Sequence, residues 1–200
     1  NSLGLMPKAT KNAVNLELQA WANQGVMGHH TRHDKRDPWV TNDDSVAERL
    51  AKLVFGCKPS EISYTSTLTS NLNALVQAFY RPTQTRYKLI CEAKAFPSDI
   101  YCFQNQVKLH NLDPADALIL LEPKQGEDII SNDTIIDVIK EHGESIALVC
   151  LPGIQFYSGQ YFDIPRITAA TKSVGAVSGW DLAHASGNVP LHLHDWGVDF

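Results

Sequence analysis

The stretch that decides the fold is Val174-Gly175-Ala176-Val177-Ser178-Gly179-Trp180-Asp181-Leu182-Ala183-His184, an apolar strand candidate that runs directly into an acid. Short apolar runs of this kind recur from residue 87 onward and alternate with helical patterns. The predicted strands are 87–92, 107–109, 117–121, 146–151, 174–180 and 198–200, and the predicted helices are 98–105, 134–141 and 165–173. Strand–helix alternation is typical of βαβ units, so the sequence predicts an α/β domain whose mainly parallel sheet is sandwiched by helices.

The first third of the chain has a different pattern, with predicted helices at 7–21, 46–55 and 69–80, a polar loop at 28–39 and a short strand at 62–64. Pro7 suits a first helical turn, whereas Gly25 and Gly56 suit helix ends. We therefore predict an N-terminal helix and loop in residues 1–40 and a partial large domain in residues 41–200.

Composition narrows the classes of function. The chain has 200 residues, a net charge of −5 and a hydrophobic fraction of 44%. Because no basic excess is available to neutralise phosphates, we expect no nucleic-acid partner. We also expect no membrane partner, since no apolar run is long enough to span a bilayer, and no signal peptide. The four cysteines form no CxxC pair, which favours buried free thiols in a cytoplasmic protein.

The first candidate site residue is Asp181, directly after the predicted strand 174–180. Ligands of parallel α/β sheets bind beyond the carboxyl ends of the strands, which is where this acid is expected. A carboxylate there needs a cation or several hydrogen bonds, and the ring nitrogen of pyridoxal phosphate (PLP) is one such cation. A helix cap or a structural ion pair is the alternative interpretation.

Two further segments have chemistry suited to the same cofactor. Residues 65–71 place hydroxyl groups before a predicted helix, where free N–H groups can bind a phosphate, although ordinary capping by Thr67 or Thr69 is the simpler interpretation. Phe96 follows the strand 87–92 and could stack on a flat ring. The alternative is a core phenylalanine beside a solvated Lys94.

Histidines cluster at residues 29–33 and 192–194. Imidazole is a common metal ligand, but neither cluster has the HExxH spacing of a zinc site. We therefore predict no metal site.

Taken together, these motifs resemble the kynureninases, PLP-dependent enzymes of the aspartate-aminotransferase-like fold. The segments that carry the resemblance are 1–5, 28–29, 38–39, 68–69, 71–72, 86–88, 92–99, 156–157, 159–160, 181–185, 187–189 and 193–200. They span the whole chain in a consistent order. The resemblance implies the large, cofactor-binding domain of that fold, in incomplete form.

The resemblance also implies roles for individual residues. The implied cofactor-binding residues are Leu68, Thr69, Phe96, Pro97, Ser98, Asp99, Asp181 and His184. Within this set, Leu68 and Thr69 would bind near the phosphate, Phe96 would stack on the pyridine ring and Asp181 would pair with the ring nitrogen. Asp181 is also the one catalytic residue that the resemblance implies in this chain. His29 would contact the aromatic end of the substrate.

The implied reaction is hydrolytic Cβ–Cγ cleavage of L-kynurenine or 3-hydroxy-L-kynurenine. Its products are alanine and anthranilate or 3-hydroxyanthranilate, in tryptophan catabolism leading to NAD. The resemblance implies a cytoplasmic homodimer with a small-molecule substrate. Two other hypotheses stay open: another PLP enzyme of the same fold, such as a cysteine-desulfurase-like protein, or a catalytically dead binding or oligomerisation module.

Two departures from the family pattern affect these expectations. Pro152 stands where animal relatives have a serine that contacts the cofactor. The family's Schiff-base lysine follows a Ser-Tyr pair shortly after the segment that matches 196–200, and no such pair follows it in these 200 residues. We therefore expect the chain to be part of a longer enzyme and to be inactive alone, with Lys94 not replacing the missing lysine.

Overall fold

The computed structural model describes residues 4–33 and 36–200. These residues form two compact units, one that ends at Tyr64 and one from Thr65 to Phe200. The domain boundary predicted at residue 40 stays a prediction. Within the described ranges, no helix is both long and apolar enough to cross a bilayer.

The second unit is built on a four-stranded parallel sheet in the order β2-β1-β3-β4. The strands are β1 (Lys88–Glu92), β2 (Leu118–Leu121), β3 (Ile146–Pro152) and β4 (Val177–Asp181). The first six residues of β3 are all buried, which explains its continuous apolar run, because a central parallel strand is covered on both faces. The predicted α/β class with a parallel sheet and flanking helices is confirmed.

Helices connect these strands and precede them. The helices of the second unit are α3 (Leu68–Phe79), α4 (Pro97–Leu109), α5 (Pro114–Ala117), α6 (Asn132–His142), a 3₁₀ turn (Gly143–Ser145), α7 (Ile164–Ser173) and α8 (Leu193–Trp196). Their starts follow local sequence rules. The side chains of Thr67, Ser131 and Asp163 each accept a hydrogen bond from a first-turn N–H group. Pro97 occupies a first-turn position, where its missing N–H group has no cost.

The first unit is mostly helical. It contains α1 (Thr10–Gln24), α2 (Asp44–Leu50), a π-helical turn (Ala51–Phe55) and 3₁₀ turns at Gly25–His29, Trp39–Thr41 and Pro59–Glu61. The predicted loop 28–39 therefore begins with helical residues, and it also contains an isolated bridge between His33 and Arg36. The predicted helix 46–55 starts two residues earlier and ends in the wider π turn before Gly56, whose φ of 57° closes it.

Three predicted strands are wrong. Residues 107–109 are the last turn of α4, where Val107 is a fully buried helical residue, and a three-residue apolar run cannot distinguish the two structures. Residues 62–64 follow a 3₁₀ turn and pair with no described strand. Residues 198–200 lie along β4, with the Asp199 N–H group donating to the Ser178 carbonyl at 3.0 Å and the Trp180 N–H group to the Phe200 carbonyl at 2.9 Å, without forming a regular strand.

Candidate active site

Three carboxyl groups meet at the carboxyl edge of the sheet. Glu92 is the last residue of β1, and Asp181 is the last residue of β4. The intervening strand β3 ends at Pro152, which is the register partner of Asp181. Asp99 stands in the first turn of α4, the helix that follows β1. The parallel sheet thus brings together acids that are up to 89 positions apart in the sequence.

Asp181 contributes to raising the pKa of the two other acids, Glu92 and Asp99. Asp99 hydrogen-bonds to Asp181, and burial together with the charge of Asp181 raises the pKa of Asp99 to about 7. Burial, with a further contribution from Asp181, raises the pKa of Glu92 to about 7, although a hydrogen bond from Gln155 opposes the shift. Only 3% of Glu92 and 5% of Asp99 is exposed, so water solvates neither carboxylate well.

The cluster of Glu92, Asp99 and Asp181 is suited to bind a cation. Among the described residues, no lysine or arginine is one of the groups that shift the pKa of Glu92 or Asp99. A buried carboxylate is stable only when it is paired or extensively hydrogen-bonded. The protonated nitrogen of a pyridine ring would supply the missing positive charge, so the three acids fit that group.

Side-chain hydrogen bonds connect the strand that carries Asp181 to the helix α7. The indole N–H group of Trp180 lies 3.0 Å from both the Thr168 and the Ser178 hydroxyl oxygens, all of them buried. After the strand, Asp181 Oδ1 accepts a hydrogen bond from the Ala183 N–H group at 2.8 Å. The predicted position of Asp181 at the sheet edge is what the structure shows, and one of its oxygens also caps the turn that follows.

Close packing on Gly153 fixes the turn after Asp181. A Cβ atom on Gly153 would lie 2.8 Å from a methyl carbon of Leu182 and 2.9 Å from the Cβ atom of Ala185. The Gly153 N–H group donates to the Asp181 carbonyl at 2.7 Å. Any larger residue would push the turn away from β3, so glycine is required here. Neighbouring Pro152 is half-buried.

An exposed aromatic ring stands beside the acids. Phe96 is the N-cap residue of α4 and is 44% exposed. Its ring packs edge-to-face against Phe156, with centroids 5.2 Å apart and an interplanar angle of 83°. The core interpretation of Phe96 is therefore wrong, because a core ring would be covered. Lys94 is exposed, as its solvated interpretation predicts.

The other predicted site residues occupy separate positions. Leu68 and Thr69 form the exposed first turn of α3, which Thr67 caps by accepting from the Ser70 N–H group at 3.3 Å. His184 is half-buried, and its carbonyl accepts from the Asn188 side-chain amide at 2.7 Å. Both segments belong to the second unit. Their roles toward a cofactor stay predictions.

His29 belongs to the first unit, where it is exposed. Its ring packs edge-on against Trp39 at 5.2 Å between centroids. The Trp39 indole donates to Glu17 at 2.9 Å, and the same carboxylate binds His33 and Arg36. Glu17 thus holds the aromatic ring on which His29 rests. Among the described residues, no group of three or more His, Cys, Asp or Glu side chains is arranged so that it could hold a metal ion.

Sequence reasoning missed two residues of the acidic edge, Glu92 and Gln155. Glu92 has the same signal as Asp181, an acid that ends an apolar strand, and could have been found by the same rule. Gln155 has no sequence signal, because its contacts with Glu92 and Lys94 span more than sixty positions.

The Aminotransferase class-V family model matches residues 4–200. Among curated relatives, the kynureninase of Yarrowia lipolytica is 52% identical over 207 residues, which cover 100% of this chain and 47% of that protein. The kynureninase of Vanderwaltozyma polyspora is also 52% identical, over 100% of this chain and 44% of that protein. The chain spans less than half the length of these relatives. The resemblance to kynureninases is confirmed at this level of similarity.

Solved structures give the same fold at low identity. The cystine C–S lyase C-DES, solved with its product cysteine persulfide, has a TM-score of 0.75 and 15% identity over 99% of this chain and 50% of that one. A cysteine desulfurase from Thermococcus onnurineus has a TM-score of 0.70 and 15% identity over 99% of this chain and 46% of that one. The parallel sheet and the acidic edge agree with the family match over residues 4–200. The chain therefore belongs to the aminotransferase class-V family.

Proposed function

We propose that the protein to which this chain belongs is a PLP-dependent enzyme that hydrolyses L-kynurenine or its 3-hydroxy derivative to alanine and the corresponding anthranilate. The observation that supports this most is the convergence of Glu92, Asp99 and Asp181, with no lysine or arginine among the described groups that shift the pKa of Glu92 or Asp99. The roughly 50% identity to fungal kynureninases supports the choice of substrate.

In this proposal the three acids and Phe96 act on the ring of the cofactor. Asp181 holds a proton on the ring nitrogen of PLP, with Asp99 and Glu92 adding negative charge behind it. Phe96 covers one face of the ring and excludes water from it. Bound PLP supplies an electron sink for bond cleavage next to the substrate amine.

Further residues are assigned to the phosphate of the cofactor, to the wall beside its ring and to the substrate. The first-turn N–H groups of α3, at Leu68 and Thr69, bind the phosphate, since a helix N-terminus favours an anion. Pro97 and Ser98 complete the wall that Phe96 begins, and His184 lies beside the cofactor. His29 contacts the aromatic end of the substrate.

The whole protein is proposed to act as a cytoplasmic homodimer in the conversion of tryptophan to NAD. The 200-residue chain alone is expected to be inactive, because the resemblance assigns none of its lysines to the covalent bond with the cofactor.

Kinetics of the full-length protein test the proposal. Purified protein with PLP should convert L-kynurenine to equimolar alanine and anthranilate, followed by anthranilate fluorescence. Asp181→Ala should lower kcat by orders of magnitude, because a neutral ring is a poor electron sink. Release of sulfide from cysteine without anthranilate from kynurenine would support the desulfurase alternative instead. If kcat is unchanged in Asp181→Ala, Asp181 is not part of the site.

A further inference from the structure

Gln155 connects the two segments that form the aromatic wall. Its side chain is 8% exposed, and both ends of its amide are used. The amide nitrogen donates to Glu92 Oε1 and to the Lys94 carbonyl, each at 3.2 Å. The amide oxygen accepts from the backbone N–H groups of Tyr157 and Ser158 at 2.6 and 2.8 Å.

These bonds connect two loops that are more than sixty positions apart in the sequence. One loop leaves β1 and carries Phe96, two residues after Lys94. The other leaves β3 and carries Phe156, whose ring packs edge-to-face on Phe96. The backbone of the second loop closes on Gln155 as well, since its N–H group donates to the Gln160 carbonyl at 2.9 Å.

The rings themselves cannot fix this arrangement. Phe96 is 44% exposed and Phe156 is 40% exposed, so each lacks the surrounding contacts that lock a core side chain. A buried amide that satisfies partners on both loops has a defined geometry, and breaking it leaves buried polar groups unpaired.

We propose that Gln155 is a positioning residue that fixes the angle of the Phe96 ring, by linking the end of β1 to the turn after β3 and so holding Phe156 against Phe96. The inference rests on the proposed PLP site. Gln155 touches neither cofactor nor substrate in this account. It acts through the two rings and through the orientation of the Glu92 carboxyl.

The test uses the full-length protein with PLP and the variant Gln155→Met, which keeps the volume of the side chain and removes its hydrogen bonds. Three quantities are measured: the visible circular dichroism per bound cofactor, the dissociation constant of PLP and the Tm of the cofactor-free protein. We expect the dichroism to fall by about half and the dissociation constant to rise about tenfold, which corresponds to about 1.4 kcal/mol.

Gln106→Met is the matched control. Gln106 is a buried glutamine of α4 whose side-chain oxygen has no hydrogen-bond partner among the described residues. Its replacement should leave both cofactor readouts at the parental values. If Gln155→Met alters Tm alone, with parental dichroism and affinity, Gln155 is a purely structural residue and the proposal is wrong.

A second variant keeps the proposal testable if Gln155→Met does not fold. Phe156→Leu removes the ring contact at a partly exposed position and leaves every bond of the Gln155 side chain in place. It should reproduce the loss of dichroism, and a parental signal would overturn the coupling between the two rings. A parent protein that binds no PLP would instead contradict the proposed function, so the two failures are distinguishable.

Discussion

Replacing Asp99 with asparagine should make the cofactor-free protein more stable at high pH. Burial and the neighbouring charge of Asp181 raise the pKa of Asp99 from 3.8 to about 7. A carboxyl group whose pKa is higher in the folded state gives its full stabilisation below pH 4, and that stabilisation is lost as pH rises toward 7. Asparagine does not ionise, so Asp99→Asn removes this loss.

The size of the effect follows from the shift. Each pKa unit corresponds to 1.36 kcal/mol, so the two units between pH 5 and pH 7 give about 3 kcal/mol as an upper value. Because relaxation and water penetration weaken the interactions of a buried charge, about half of that is expected, or roughly 1.5 kcal/mol. A change of this size moves Tm by roughly 3–6 °C in a domain of 150–250 residues, and by less in the longer full-length protein, whose entropy of unfolding is larger.

Thermal unfolding of the full-length, cofactor-free protein at pH 5 and pH 8 measures this pH-dependent difference in stability between Asp99→Asn and the parent. The Tm of Asp99→Asn minus that of the parent should increase by roughly 1–3 °C between the two pH values. Adding PLP at pH 8 should stabilise the parent more than the variant, since a bound cation favours the ionised acid. A Tm difference that is the same at both pH values, or that decreases toward pH 8, would refute the burial argument.

Three further variants test other contacts. Gly179→Ala should lower the free energy of unfolding by about 1–3 kcal/mol in urea titrations, because its Cβ atom would lie 2.3 Å from the Phe200 ring; an unchanged midpoint would show that the ring is free to move. His29→Ala should alter the ratio of kcat/KM values for kynurenine and 3-hydroxykynurenine while PLP binding stays intact, and equal losses on both substrates would contradict substrate contact. The pKa of Glu17 is lowered chiefly by the hydrogen bond from Trp39, so the Tm of Glu17→Gln should fall less than that of the parent as pH drops below 5. An equal fall of Tm in both proteins would show that Glu17 is not the source of this pH dependence.

The alternation of strands and helices from residue 87 onward was sufficient to predict the parallel sheet. Continuous apolar runs such as the one in β3 indicate strands covered on both faces, and the acid after 174–180 indicated the ligand edge. The prediction failed where runs were short. Val107 and its neighbours pack as the last turn of a helix, and three residues contain no usable periodicity.

The candidate site was only partly accessible from sequence. Asp181 could be placed from its strand, and Asp99 from the resemblance, but the burial of Asp99 and its interaction with Asp181 could not. Gln155 was missed because its role exists only when the ends of β1 and β3 lie side by side. Its hydrogen bonds to Glu92 and the Lys94 carbonyl depend on the register of two strands separated by a whole βαβ connection.

The central claim is that the acidic edge of the sheet holds a protonated ring nitrogen. Nitrogen-15 NMR of the full-length protein, loaded with PLP labelled at that nitrogen, tests it most directly. We expect a resonance in the pyridinium range for the parent and a shift toward neutral pyridine in Asp181→Asn, with cofactor still bound. A neutral nitrogen in the parent, or an unchanged resonance in Asp181→Asn, would contradict it.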